Sequence, residues 1–176
     1  MHSIQPIVLW MTGLSGAGKS TIAYAMEKKL QAEGVLCEVL DGDVLRSGIN
    51  SNLGFSEADR MENIRRTAEL AKVLLNNRFV VICSLITPTE NLREIARKVL
   101  GNNFRLIHIS TPLAVCQERD VKGLYKKAIS GDIPNFTGIS APFDAPIAAD
   151  LEINTHNQTE TQSVEALYTF LRKLNQ

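Results

Sequence analysis

The stretch Gly13-Leu14-Ser15-Gly16-Ala17-Gly18-Lys19-Ser20-Thr21 constrains this chain most, because it spells G-x-x-x-x-G-K-[ST] between segments of different periodicity. Before it, Ile7 to Met11 is an apolar run of strand length. After it, Ile22, Met26 and Leu30 recur every four residues, which is one face of a helix. Glycines at such a junction let backbone N–H groups converge on a phosphate, and the helix N-terminus adds its positive end. Lys19 supplies a point charge for the transferring phosphate, the Ser20 hydroxyl is the expected magnesium ligand, and Thr21 is expected to be a helix residue. The expected ligand is therefore a nucleoside triphosphate.

At 176 residues the chain has the size of one domain, 1–176, with a single core. Nineteen basic residues balance nineteen acidic ones, so no global field exists to hold a nucleic acid polymer, and any positive charge that matters is local. Cys37, Cys83 and Cys116 each lie inside an apolar segment and form no Cys-x-x-Cys pair, which reads as reduced, buried thiols of a cytosolic protein. His2, His108 and His156 have no metal-ligand spacing. The segment Met1 to Pro6 lacks a basic region followed by a signal-length apolar stretch, and no window approaches about 18 apolar residues. The expectation is a cytoplasmic protein with no membrane partner.

Strand-like runs at Ile7–Met11, Leu36–Leu40, Phe79–Ile86 and Arg105–Ile109 alternate with helical patterns. That is the signature of an α/β fold whose parallel sheet is covered on both faces. The first helix is expected to end near Gly34. A second opens at Ser56-Glu57-Ala58-Asp59, which resembles a capping box, and carries Met61, Ile64, Ala68, Ala71 and Leu75 as a core stripe. A third, with Leu92, Ile95, Ala96 and Val99, stops at Gly101, and Val164, Leu167, Leu171 and Leu174 mark a last one. Between Asp132 and Asp150, three prolines (Pro134, Pro142, Pro146) and the exposed-looking aromatics Phe136 and Phe143 break this rhythm. A segment that long without regular structure is expected to cover a ligand.

Asp41-Gly42-Asp43 follows the second strand, so its carboxylates should emerge at the carboxyl edge of the sheet, where ligands of open α/β folds bind. The third strand ends with no acid. Asp41 and Asp43 are thus the candidates for water-mediated magnesium contact and for accepting a proton from an attacking hydroxyl, although Asp-Gly is also ordinary turn chemistry. Arg46, Arg60, Asn63 and Arg66 form a second polar set, in which Arg60 and Asn63 share a helix face away from the Met61/Ile64 stripe. Arginines near a glycine-rich loop grip anions by bidentate contact; composition alone fits a charged outer face as well. Lys122-Gly123-Leu124-Tyr125-Lys126-Lys127 follows Arg119-Asp120, where a lid could bring cations over phosphates. Taken alone, the same string is a solvated helix end.

Nearly end to end, these motifs resemble the adenylylsulfate kinase family. The matching residues are Gly13 to Thr21, Asp41-Gly42-Asp43-Val44-Leu45-Arg46, Asn52 to Ser56, Asp59-Arg60, Glu62 to Arg66, Val115-Cys116, Glu118 to Ala128 and Asn135-Phe136-Thr137-Gly138-Ile139. The resemblance implies a P-loop kinase-type three-layer sandwich with a mostly parallel central sheet and a lid segment at about 119–150. It implies transfer of the ATP γ-phosphoryl group to the ribose 3'-hydroxyl of adenosine 5'-phosphosulfate, giving 3'-phosphoadenosine 5'-phosphosulfate for sulfate assimilation. Carried over position by position, Gly13, Leu14, Ser15, Gly16, Ala17, Gly18, Lys19, Ser20 and Thr21 would hold ATP, with Arg119 against its base. Magnesium would sit on Ser20, with Asp41 or Asp43 reaching it through water. Phe55 and Phe136 would sandwich the substrate adenine, Arg46, Arg60 and Asn63 would hold the phosphosulfate and ribose, and Asp43 would orient the 3'-hydroxyl. Lys122, Arg66, Ile86, Thr87, Asn135 and Thr137 would complete the substrate set, and the resemblance implies a homodimer.

There are departures. Where the family commonly reads Ile-Ser-Pro-Tyr, this chain has Ile86-Thr87-Pro88-Thr89, while Arg93 keeps the position of a later family arginine. In some relatives the serine of that motif is given as a phospho-enzyme nucleophile, which makes Thr87 a catalytic candidate; direct in-line transfer needs only positioning and charge stabilisation. Two other readings stay open. Thr87 and Thr89 motivate a related kinase acting on a different nucleotide 5'-anhydride. A non-catalytic nucleotide switch is the other, although the chain lacks an Asn-Lys-x-Asp motif and retains two carboxylates a switch would not need.

Overall fold

Every residue of β1, Val8–Thr12, is buried, and its side chains alternate: Leu9 and Met11 join one hydrophobic cluster, Val8 and Trp10 another. A strand buried on both faces is the centre of a sheet with helices on each side. The computed structural model describes residues 4–176, so the expectations about Met1, His2 and Ser3 lie outside the described residues. The remaining strands are β2 (Cys37–Asp41), β3 (Val80–Ser84), β4 (Phe104–Ile109) and β5 (Leu151–Ile153). The helices are α1 (Lys19–Ala32), α2 (Gly42–Ser47), α3 (Glu57–Asn76), α4 (Glu90–Leu100), α5 (Leu113–Arg119), α6 (Leu124–Ile129) and α7 (Glu160–Lys173).

All five strands are parallel, in the order β2-β3-β1-β4-β5. Ile22, Met26 and Leu30 of α1 and Val164, Leu167 and Leu171 of α7 cover one face, and α3 and α4 cover the other through Ile64, Ala68, Ala71, Leu75, Leu92, Ala96 and Leu100. The three-layer α/β architecture and the expected parallel sheet are both present. Because the strands run the same way, all their carboxyl ends lie on one edge. The chain passes from β3 to β4 on opposite sides of β1, which opens a crevice there.

Local chemistry sets the boundaries. Ser56 caps α3 by accepting from the Asp59 N–H at 3.1 Å, but the Asp59 carboxylate takes the Ser56 hydroxyl, so the expected capping box is only half formed. Gly34 and Gly101, both at positive φ, follow α1 and α4 as expected. Three expectations are corrected. Met61 is 44% exposed, because no residue of α3 before Asn63 is buried and its first turns overhang the core. Leu174 lies just past α7 and is also exposed. The stretch from Phe79 to Ile86 forms a strand only over Val80–Ser84, which frees Leu85 and Ile86 to leave the sheet edge. Residues 132–150 form no helix or strand, only an isolated bridge between Thr137 and Ala141. Among the described residues no helix is long and apolar enough to cross a membrane.

Candidate active site

Between β1 and α1 the glycine-rich loop turns its carbonyl oxygens outward, and other donors take all of them. Lys19 Nζ donates to the Gly13 and Leu14 oxygens at 2.9 and 2.7 Å, and the Tyr125 hydroxyl to that of Ser15 at 2.9 Å. Arg119 donates to Gly16 O at 3.4 Å, while Thr111 and Thr155 both donate to Ala17 O, at 3.0 and 2.8 Å. With the carbonyls committed, the amides of Ser15, Gly16 and Gly18 have no protein acceptor among the described residues and form an anion-binding concavity. Two glycines are obligatory here: a Cβ on Gly13 (φ 156°) would lie 2.6 Å from Ile109 O, and one on Gly18 (φ 101°) would lie 3.3 Å from Thr155. Burial lowers the Lys19 pKa to about 8, the largest influence, partly offset by Cys116 and the carboxylates of Asp41 and Asp43.

At the end of β2, Asp41 is buried and caps α2 by accepting from the Asp43 N–H at 2.9 Å. Its other oxygen accepts from the Ser20 hydroxyl at 2.5 Å, and Ser84, at the end of β3, lies 3.1 Å from the same hydroxyl. These oxygens form the donor set a hard cation takes. Asp43, one turn on, is exposed and forms an ion pair with Lys122 from the α5–α6 connection.

A cleft of about 540 Å³ runs over this edge, lined by Lys19, Ser20, Asp41 and Asp43 as well as by Arg46, Phe55, Arg60, Asn63 and Phe136. The Arg46 guanidinium lies 4.4 Å from the centre of the Phe55 ring. Arg60 ties the two walls: Nε donates to Phe55 O at 3.0 Å, Nη2 to Asn135 O at 2.7 Å and Nη1 to the Thr137 hydroxyl at 3.3 Å. Burial pulls the pKa of both arginines down, and for Arg46 the nearby Arg60 charge adds to this. The Phe136 and Tyr125 rings meet in a T-shaped contact, the ring centres 5.1 Å apart. Uncommitted amides and paired arginines in one cleft are suited to a ligand pair carrying several anionic groups.

The sequence model of the family described as adenylylsulphate kinase matches residues 5–154. The chain belongs to the adenylylsulphate kinase family. It is 52% identical over 162 residues to an adenylyl-sulfate kinase of Bacteroides fragilis, covering 92% of this chain and 80% of that one. It is 47% identical over 171 residues to that of Paraburkholderia xenovorans, covering 97% and 96%. Among solved structures, the Mycobacterium tuberculosis APS kinase in complex with AMPPNP and APS superposes with a TM-score of 0.93 at 40% identity, covering 97% of this chain and 99% of that one. A gluconokinase of Sinorhizobium meliloti, 16% identical with a TM-score of 0.62, shares the fold alone. This chain is thus an ATP-dependent kinase of the adenylylsulphate kinase family.

Of the positions that family resemblance marked, Ser15, Gly16, Gly18, Lys19, Ser20, Thr21, Asp41, Asp43, Arg46, Phe55, Arg60, Asn63, Ile86, Thr87, Lys122, Asn135, Phe136 and Thr137 line the cleft. Three expectations need correcting. Arg66 does not reach the cleft: it donates to Glu62 at 2.8 Å, to Asn52 Oδ1 at 2.8 Å and to Ile49 O at 3.3 Å, bracing the turn beside the site. Thr87 does line the cleft; it is 2% exposed and its hydroxyl accepts from Trp10 Nε1 at 3.0 Å. Lys126 and Lys127 lie in the last turn of α6 and do not line the cleft; of the cations in that string Lys122 alone lines it. Phe143 is not exposed over a ligand but stacks on His108, with ring centres 6.1 Å apart. The Thr89 departure lies outside the cleft, at the N-cap of α4.

Arg119 does not line the cleft and instead joins Thr155 and the outside of the loop, with Nη1 2.9 Å from the Thr155 hydroxyl and Nη2 2.9 Å from its carbonyl. Sequence reasoning missed Thr111, Thr155, Ser84 and Asn50. Threonines and serines at strand ends carry no local signature, and only the sheet order brings them to the loop. The three cysteines are buried as expected, and burial raises their pKa values, that of Cys37 to about 12. No group of three or more His, Cys, Asp or Glu that could hold a metal ion occurs among the described residues.

Proposed function

We propose that this kinase transfers the γ-phosphoryl group of ATP to the ribose 3'-hydroxyl of adenosine 5'-phosphosulfate, giving 3'-phosphoadenosine 5'-phosphosulfate for sulfate assimilation. The observation that carries this reading is one cleft lined both by the phosphate loop and by Phe55, Phe136, Arg46, Arg60 and Asn63, with Asp43 on its wall. Its volume of about 540 Å³ is in the range of small-molecule sites. The tuberculosis enzyme, closely superposable, was solved with AMPPNP and APS together.

The uncommitted loop amides and Lys19 bind the triphosphate and take up charge on the transferring group. Ser20, with Asp41 through water, would hold magnesium; when bound, the ion neutralises charge on the β- and γ-oxygens. Arg46 and Arg60 grip the phosphosulfate and Asn63 the ribose, while Phe55 and Phe136 take the adenine between their rings, each stack worth roughly 1–3 kcal/mol. Asp43 accepts a hydrogen bond from the 3'-hydroxyl and takes its proton as the oxygen attacks in line. Thr87 shapes the wall and forms no phospho-enzyme. Residues 1–176 act as one kinase unit, with about 119–150 as the lid that excludes water. This unit works in the cytoplasm as a homodimer.

Incubation with ATP and magnesium is expected to release ADP only when adenosine 5'-phosphosulfate is present, and not with Lys19→Ala. Faster turnover of another adenine nucleotide 5'-anhydride would replace the substrate. ATP binding with no turnover of any nucleotide would favour a switch.

A further inference from the structure

Asn50 is fully buried in the turn after α2, yet only half of its side-chain amide is paired. Its Nδ2 donates to Asn63 Oδ1 at 3.0 Å, and its own Oδ1 has no partner. The turn holds it firmly: the Asn50 N–H donates to Leu45 O at 2.8 Å, and Asn50 O accepts from the Leu53 N–H at 3.0 Å. Arg66, which misses the cleft, fastens the same turn on either side of Asn50 through Ile49 O and Asn52 Oδ1. We infer that Asn50 is a positioning residue that fixes the Asn63 amide with its N–H₂ group available to the substrate; this deepens the proposed function and rests on it.

The chemistry runs through one oxygen. With Oδ1 committed to Asn50, Asn63 has Nδ2 left, and among the described residues that nitrogen meets no acceptor. Asn63 lines the cleft beside Arg46 and Arg60, which also only donate, so this wall presents donors alone and selects an acceptor-rich ligand. In the reverse arrangement Asn63 would show its oxygen to an anion, and Asn50 would bury two unpaired N–H donors, where the observed arrangement leaves one N–H and the oxygen. Orphaned buried donors are the rarer defect.

Kinetics on the intact protein test this. Asn50→Asp keeps the size but offers only acceptors, so Asn63 must turn its Nδ2 inward. The KM for adenosine 5'-phosphosulfate is expected to rise about tenfold or more, as for a lost hydrogen bond to a charged group, and ATP affinity to stay within about twofold. Asn63→Ala removes the same donor, so adding Asn50→Ala to it is expected to change KM by less than about twofold further. Parallel loss of both affinities, or two losses that multiply, would overturn the assignment. A second readout needs no turnover: in the wild-type protein the Asn50 side-chain amide protons should exchange with solvent more slowly by NMR than those of Asn63, and the opposite order would overturn it. If that order holds while the sulfated nucleotide is not turned over, the substrate reading fails and the amide orientation stands.

Discussion

The Ser20 hydroxyl donates to the Asp41 carboxylate at 2.5 Å, so the first turn of α1 and the end of β2 meet at a single oxygen. Asp41 also caps α2. Asn caps a helix about as well as Asp, so Asp41→Asn should leave the unfolding midpoint nearly unchanged. It removes the charge that would face a magnesium-bound water, and the magnesium concentration for half-maximal rate is expected to rise about 10- to 100-fold. A magnesium titration of the initial rate checks this; an unchanged requirement would take Asp41 out of the metal site.

Asp43 and Lys122 are exposed, with side-chain accessibilities of 69% and 53%, so their ion pair contributes little to folding. Asp43→Ala is expected to shift stability by less than about 1 kcal/mol and to lower kcat by about ten- to a thousandfold, as when a positioned carboxylate is lost. Melting curves alongside single-turnover rates separate the two effects. Near wild-type turnover would remove Asp43 from the chemistry.

Lys19 sets a pH dependence whose sign follows from burial. Its pKa in the folded protein is lowered to about 8, below the unfolded value of 10.5. Below pH 8 the amine already carries its charge, and triphosphate binding draws no proton through it. Above pH 8 binding must recharge the amine, so affinity is expected to fall, approaching about tenfold per pH unit, with uptake of one proton. Calorimetry in buffers of different ionisation enthalpy reads that proton directly; affinity flat from pH 7.5 to 9.5 would contradict it.

β1 and α1 were legible because a strand buried on both faces and a helix with one apolar stripe leave different periods in the chain. β5 was not, because Leu151–Ile153 is too short to show a period. The stripe of α3 misleads at Met61, where the helix overhangs the core. At the site, Lys19, Ser20 and the Asp41/Asp43 pair could be read from local motifs. Phe55 and Phe136 could not be joined by spacing and were connected only through the family resemblance. Thr111 and Thr155 act through Ala17, far along the chain, and Asn50 through a partner on the next helix, and side chains of that kind leave no pattern of their own.

Phe136 makes a T-shaped contact with Tyr125, whose hydroxyl holds the Ser15 carbonyl. A stacked base is bound about equally in ground and transition states. Phe136→Ala is therefore expected to raise the KM for the sulfated nucleotide about 5- to 100-fold and to leave kcat within about threefold. Steady-state kinetics over a range of both substrates decide it, and a loss confined to kcat would contradict the stacking role.

The most direct measurement is a ³¹P NMR time course of the protein with ATP, magnesium and adenosine 5'-phosphosulfate. A phosphomonoester resonance coupled to the ribose 3'-proton should grow in step with ADP, while the phosphosulfate resonance persists. ATP turned to ADP and free phosphate with no such ester, or a new ester at any other position, would contradict transfer to the 3'-hydroxyl.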